Sequence, residues 1–172
     1  MDLGRELAAL HAQSFGWALA CCARDEARAA DVLQQAYWKV LEGRARFDGR
    51  SALKTWFFGV VRLTALEQQR SILRWLGRGG TSGPANEDDV AAPSSAKPDE
   101  RAAKKQAALR MSRALASLAP RQREVLHLVF YEDLSIAEAA VIMDVSLGSA
   151  RQHYDRGKKH LLEILTRDGD RR

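Results

Sequence analysis

Apolar residues recur along most of this chain at separations of three and four, the spacing that lines one face of an α-helix. Over residues 29–41 the set is Ala29, Val32, Leu33, Ala36, Tyr37, Val40 and Leu41, an amphipathic stripe. Leu7, Leu10, Ser14, Trp17, Ala18 and Cys21 form a similar stripe over residues 5–22. Ser51 is placed to cap a helix carrying Leu53, Trp56, Phe57, Val60, Val61 and Thr64. No strand-like alternation and no Asn-Gly hairpin signal occurs. The first part of the chain is therefore expected to be a bundle of roughly three or four helices.

The later part has the same period with clearer punctuation. Ala108, Met111, Leu115 and Leu118 predict a helix over residues 101–118, and Pro120 suits the first position of the next, which runs to about Tyr131. Ser135 and Glu138 read as a capping box for a short helix ending near Met143. After a break at Asp144-Val145, Ser146 caps a final helix from Leu147 to Leu165. A short helix, a tight turn and a longer basic helix make a helix-turn-helix. Between the two parts, Gly77, Gly79, Gly80, Ser82, Gly83, Pro84, Pro93, Ser94, Ser95 and Pro98 occur with almost no large apolar side chain, which reads as a flexible tether. The expected fold is all-α, with helical domains at 1–76 and 105–168 and a linker at 77–104.

Charge sharpens this picture. The 172 residues hold 27 Lys and Arg against 22 Asp and Glu, a formal net charge of +5, compatible with a polyanionic partner. The excess is local. Residues 51–80 carry Lys54, Arg62, Arg70, Arg74 and Arg78 against Glu67 alone, and residues 146–160 carry Arg151, Arg156, Lys158 and Lys159 against Asp155 alone. No apolar run is long enough for a membrane span, and the N-terminus has no signal-peptide core, so the cytoplasm is the expected location. Cys21 and Cys22 are adjacent, which excludes a disulfide-stapled scaffold; they read as packing residues, with a redox thiol as the alternative. His11, His127, His153 and His160 have no metal spacing. No catalytic constellation appears, so neither an enzyme nor a bound cofactor is expected.

Two segments carry candidate chemistry. On the last helix, Leu147, Ala150, Tyr154, Leu161 and Leu165 mark the apolar face, while Ser149, Gln152, His153, Arg156, Lys159 and His160 project elsewhere, with Arg151 and Lys158 on the flanks. Arg and Gln can bond guanine and adenine edges in pairs, and lysines further along suit phosphates. A solvated basic face is the plain alternative; the helix-turn-helix around it favours DNA. Phe47 lies in Arg46-Phe47-Asp48-Gly49-Arg50, an aromatic among arginines between two helices. It suits either base stacking or simple packing.

Asp31-Val-Leu-Gln-Gln-Ala-Tyr-Trp-Lys-Val-Leu41 and Arg46-Phe-Asp-Gly-Arg-Ser-Ala-Leu-Lys-Thr-Trp-Phe57 resemble region two of the extracytoplasmic-function group of bacterial sigma factors. Leu118-Ala-Pro-Arg-Gln-Arg-Glu-Val-Leu126 resembles the start of region four, and Leu134 to Ser149 resembles its helix-turn-helix. The resemblance spans nearly the whole chain apart from the tether. It implies an alternative sigma factor that binds core RNA polymerase and promoter DNA. Region two would dock on the polymerase and capture the melted minus-ten strand, and region four would read the minus-thirty-five duplex. By position, Asp31, Gln34, Gln35 and Lys39 fall on the polymerase-binding helix; Phe47, Arg50, Lys54 and Arg62 fall near the melted strand; Ser149, Arg151, Gln152, Asp155, Arg156 and Lys159 fall on the duplex-reading helix. A cognate anti-sigma protein or a modifying kinase is a further partner the resemblance allows.

Three departures from the family pattern involve four positions. Arg28 and Ala30 stand where acidic residues are common, which makes polymerase attachment expected to depend on a partner or on added negative charge such as phosphorylation. Leu63 stands where Asn is common, removing a group that could read a base. Asp155 would repel phosphate, and would instead accept from a cytosine amino group or pair with Lys158 or Lys159. The rival reading is a stand-alone helix-turn-helix regulator whose N-terminal bundle binds a ligand or dimerises. Such a regulator would footprint DNA without polymerase.

Overall fold

The computed structural model describes residues 2–77 and 98–169; the expected tether, apart from its ends, lies outside the described residues. The elements are α1 (Leu3–Ala9), α2 (His11–Cys21), α3 (Glu26–Leu41), α4 (Leu53–Leu76), α5 (Pro98–Ala116), α6 (Pro120–Phe130), α7 (Ile136–Met143) and α8 (Leu147–Gly169). No strand occurs among the described residues.

The N-terminal stripe makes two helices where one was expected. Leu10, with ψ near zero, ends α1 and opens α2. A one-residue break leaves the apolar spacing intact, so Leu7 still enters the core behind Ser14, Trp17 and Ala18. Helix α3 starts a turn earlier than its apolar stripe, because the Asp25 carboxylate accepts the Arg28 N–H at 3.0 Å. Ser51 does not cap α4. The helix opens from Ala52, whose side chain offers no oxygen, and the Ser51 hydroxyl donates to the Ala52 carbonyl instead. The expected capping box at Ser135 and Glu138 is complete, with both reciprocal bonds made, and Pro120 is the first residue of α6.

Helices α2, α3 and α4 bundle around Trp17, Val32, Leu33, Ala36, Phe57, Phe58 and Val61. Helices α6, α7 and α8 form the helix-turn-helix, with α5 against α8. Asp144, in the left-handed conformation with φ 53, closes α7 and turns the chain into α8. The two units are packed on each other: α4 lies along α7 and α2 touches α6. A continuous buried cluster therefore runs from Trp17 and Phe58 to Val125, Leu128, Ile142 and Met143.

Candidate nucleic-acid and partner interfaces

Helix α8 turns its two faces in opposite directions. Ala150 and Gly157 are buried and Tyr154 and Leu161 half-buried against α6 and α7. Gly157 allows this approach, since a Cβ there would stand 3.0 Å from the Gln122 Cβ. Arg151, Gln152, Asp155, Arg156 and Lys159 are all exposed. Their spacing confines them to well under half of the helix circumference, opposite the buried stripe. Ser149 stands at the edge of this face and is already engaged: its N–H donates to the Ser146 Oγ at 3.1 Å, and the two hydroxyls are 2.9 Å apart. Lys158 leaves the face, its Nζ lying 5.9 Å from the centre of the Tyr154 ring.

The loop between α3 and α4 is built by its own residues. Gly49 has φ +73, a conformation open to glycine, and the Asp48 carboxylate accepts the Arg50 N–H at 3.1 Å. This turn leaves Arg50 exposed and sets the half-buried Phe47 ring 5.3 Å from Trp56. Packing and partial exposure coexist at Phe47. Its ring borders a shallow apolar hollow of about 420 Å³ with Leu3, Val40, Gly43, Ala45 and Arg46.

On α3, Asp31, Gln34 and Gln35 are exposed along one stripe. Trp38 continues it, 54% exposed despite being the largest apolar side chain on the helix. Its place seven residues after Asp31 and four after Gln34 is the sequence signal that marks it. Lys39 does not join them. Its ammonium turns to α4, donating to Thr64 Oγ1 at 3.0 Å and to Glu67 at 2.6 Å. Arg28 shares the stripe's spacing but is half-buried: its Nε is buried and its charge acts on the Cys22 thiol. Of the two departures from acidity, only Ala30 is exposed.

Lys54 and Arg62, unlike the exposed Arg50, are engaged by the docking of the units. Arg62 is 3% exposed and bonds Glu124 of α6 with two nitrogens, at 3.1 and 3.3 Å. Arg121 reaches the same carboxylate at 3.3 Å. Lys54 donates to the Glu132 carbonyl at 2.8 Å and meets its carboxylate at 3.0 Å. The His127 ring is tilted against Trp17, 5.4 Å between ring centres, and its Nε2 lies 3.5 Å from Glu132. Burial works to raise the Glu132 carboxyl, but its contacts with His127 and the Lys54 ammonium outweigh it and hold the group below its ordinary value. Glu124 lies in the Leu118–Leu126 run and Glu132 outside any motif, and nothing local in the sequence points either carboxylate at the first unit.

Burial, Glu124 and Cys22 together push the Cys21 thiol well up, and burial also raises Cys22. Both favour the neutral thiol, which suits packing rather than redox chemistry. Among the described residues no cluster of three His, Cys, Asp or Glu side chains is placed to hold a metal, and no helix is long and apolar enough to cross a membrane.

Known proteins match both units. The family model described as sigma-70 region 2 matches residues 8–75, and that described as sigma-70 region 4 matches residues 108–161. The chain is 30% identical over 169 residues to the RNA polymerase sigma factor CarQ of Myxococcus xanthus, covering 95% of this chain and 90% of that protein. It is 30% identical over 149 residues to the ECF RNA polymerase sigma factor SigX of Bacillus subtilis, covering 83% and 74%. Among solved structures, the sigma factor RpoE of Bartonella quintana, crystallised with the anti-sigma factor NepR, superimposes with a TM-score of 0.77. At 21% identity it covers 96% of this chain and 97% of that one, a likeness of fold.

Proposed function

This chain belongs to the extracytoplasmic-function group of sigma-70 factors, alternative sigma factors that direct transcription, and we propose how its surfaces divide that work. Residues 1–76 bind core RNA polymerase and the minus-ten element, residues 105–168 bind the minus-thirty-five element, and residues 77–104 join them. The protein works in the cytoplasm, as a specificity subunit without catalysis of its own.

The observation that carries this division is the polar face of α8. Arg151, Gln152, Asp155, Arg156 and Lys159 are exposed together on a helix whose other side is held by α6 and α7. A helix supported in this way can enter a major groove with its side chains free for base edges. Arg151 and Gln152, near its N-terminal end, are assigned to bases, Asp155 to a cytosine amino group, and Lys159 to phosphate. Ser149, engaged in the helix cap, sits at the rim.

The α3 stripe of Asp31, Gln34, Gln35 and Trp38 is assigned to the polymerase. A large exposed ring among polar groups is the composition of an interface centre rather than of ordinary surface. Lys39 supports this helix from behind through Thr64 and Glu67. Phe47 and the hollow beside it are assigned to a base of the melted strand, with Arg50 on its phosphate and Lys54 and Arg62 joining once they are uncovered. An anti-sigma protein remains a candidate partner for the same surfaces.

The test is co-migration of the purified chain with core polymerase on a size-exclusion column, followed by transcription from promoters selected out of a randomised pool. Trp38→Ala is expected to lose co-migration while melting at the unchanged temperature. Sequence-specific footprints by the chain without polymerase, over a dyad, would favour the stand-alone regulator.

A further inference from the structure

Resting on the division of surfaces above, we propose that the outer face of α4 holds the promoter duplex where it meets the melted minus-ten strand, and that Leu63 on this face selects thymine by its 5-methyl group. Arg70 and Arg74 take the phosphates beside it.

Gly59, Leu63, Arg70 and Arg74 follow one another at separations of four, seven and four. On a helix that spacing keeps them within about 60° of each other and spreads them over about 22 Å. The other sides of α4 pack on α2, α3 and α7, whereas Leu63 is 52% exposed and both arginines are exposed. The face begins beside the loop assigned to the melted strand. Phe47 packs on Trp56 of the same helix, and Arg50 is exposed just before it.

Gly59 marks a place of close approach. Glycine inside a helix costs stability relative to alanine, and the fold does not require it here: a Cβ at Gly59 would touch nothing in the surrounding structure within 4 Å. A glycine facing outward, one turn before an exposed leucine, lets a partner's edge come near the backbone.

Charge selects the partner. Glu67, the one acid among residues 51–80, is bound by Lys39 at 2.6 Å, so Arg70 and Arg74 set the sign of the face. A positive row beside an apolar contact fits the major groove, where phosphates form the rim and the thymine methyl is the apolar group on the base edges. Leucine makes no side-chain hydrogen bond, so the methyl alone is read. Thymine and 5-methylcytosine are favoured over uracil and cytosine.

The test uses the chain assembled with core polymerase and a promoter selected from a randomised pool. Each thymine in and just upstream of the minus-ten element is replaced in turn by deoxyuridine, which removes only the methyl, and heparin-resistant complexes are measured. The wild type is expected to lose about three- to fourfold at one position, the worth of one buried methyl, and to prefer 5-methylcytosine to cytosine there by the same factor. Leu63→Asn is expected to abolish both differences while melting at the unchanged temperature. Gly59→Ala is expected to melt higher yet to weaken the complex on thymine and uracil templates alike. Arg70→Gln/Arg74→Gln is expected to weaken both templates equally and to lower the salt slope by about two.

No deoxyuridine effect with the wild type overturns the methyl reading, and an equal effect with Leu63→Asn overturns the assignment to Leu63. Loss of co-migration with core polymerase in the Gly59 and Leu63 variants, with thymine preference intact, makes the face a polymerase contact and also overturns the proposal. Co-migration of the wild type is read before any template is tried. Its failure counts against the division of surfaces and removes this proposal with it, whereas co-migration without a methyl effect removes this proposal alone.

Discussion

Arg62 and Glu124 lie 62 positions apart, yet the guanidinium of one holds the carboxylate of the other through two bonds of 3.1 and 3.3 Å. With Lys54 and Glu132, they turn two separately legible helical units into one packed body.

The pair is more costly to break than to replace. Arg62→Met leaves Glu124 beside Arg121 alone and is expected to destabilise the protein by about 2 kcal/mol. Arg62→Met/Glu124→Met is expected to recover most of that, because no uncompensated charge stays in the seam. Urea denaturation of the wild type and three variants of the cycle measures both.

Gly157 sets how closely α8 packs on α6. A Cβ there would stand 3.0 Å from the Gln122 Cβ and 3.2 Å from Leu126 Cδ1. Gly157→Val is expected to cost about 2 kcal/mol, and to weaken duplex binding as the helix shifts. A thermal melt and a duplex titration on the same preparation check the two effects.

Ala23 is held at φ 52 in the turn after α2, a conformation that costs a side-chain-bearing residue about 1 kcal/mol. Ala23→Gly relieves the crowding but adds freedom to the unfolded chain. The relief is expected to dominate slightly, raising the melting temperature by a degree or two, about a few tenths of a kcal/mol.

Glu132 links the seam to pH. Burial opposes its ionisation, but His127 of α6 and Lys54 of α4 together hold its carboxyl below the ordinary value of 4.5. Lys54 also acts on Glu138 of α7. A carboxyl lowered on folding contributes stability above its unfolded value and loses that contribution as pH falls through the folded value. Stability is therefore expected to decline from about pH 5 downward, and Glu132→Gln is expected to flatten that limb. Urea midpoints measured between about pH 3 and 6 decide it.

On α8, Arg151→Ala is expected to lower affinity for a selected minus-thirty-five duplex about tenfold or more and to relax its base preference. Lys159→Ala is expected to weaken all sequences alike and to reduce the salt slope by about one. Fluorescence anisotropy over a salt series separates the two roles.

Helix spacing, the Ser135 capping box, Pro120 at its first turn and the exposed face of α8 were all written locally, within a turn or two of each residue. Periodicity and capping depend on neighbours three and four positions away, so a chain read alone yields the two helical units and the exposed polar side chains of α8. Ser51 and the break at Leu10 escaped that reading because an apolar stripe tolerates either start and survives a one-residue turn. Tertiary structure alone decided where the charges went. Lys54 and Arg62 belong by sequence to a basic block, but their partners lie 78 and 62 residues away, one in the turn after α6 and one on α6, brought there by docking. Lys39 turned inward to Glu67 and Trp38 stayed outside for the same reason. The sign of a charge is local, whereas the field it meets is made by whatever the fold brings beside it.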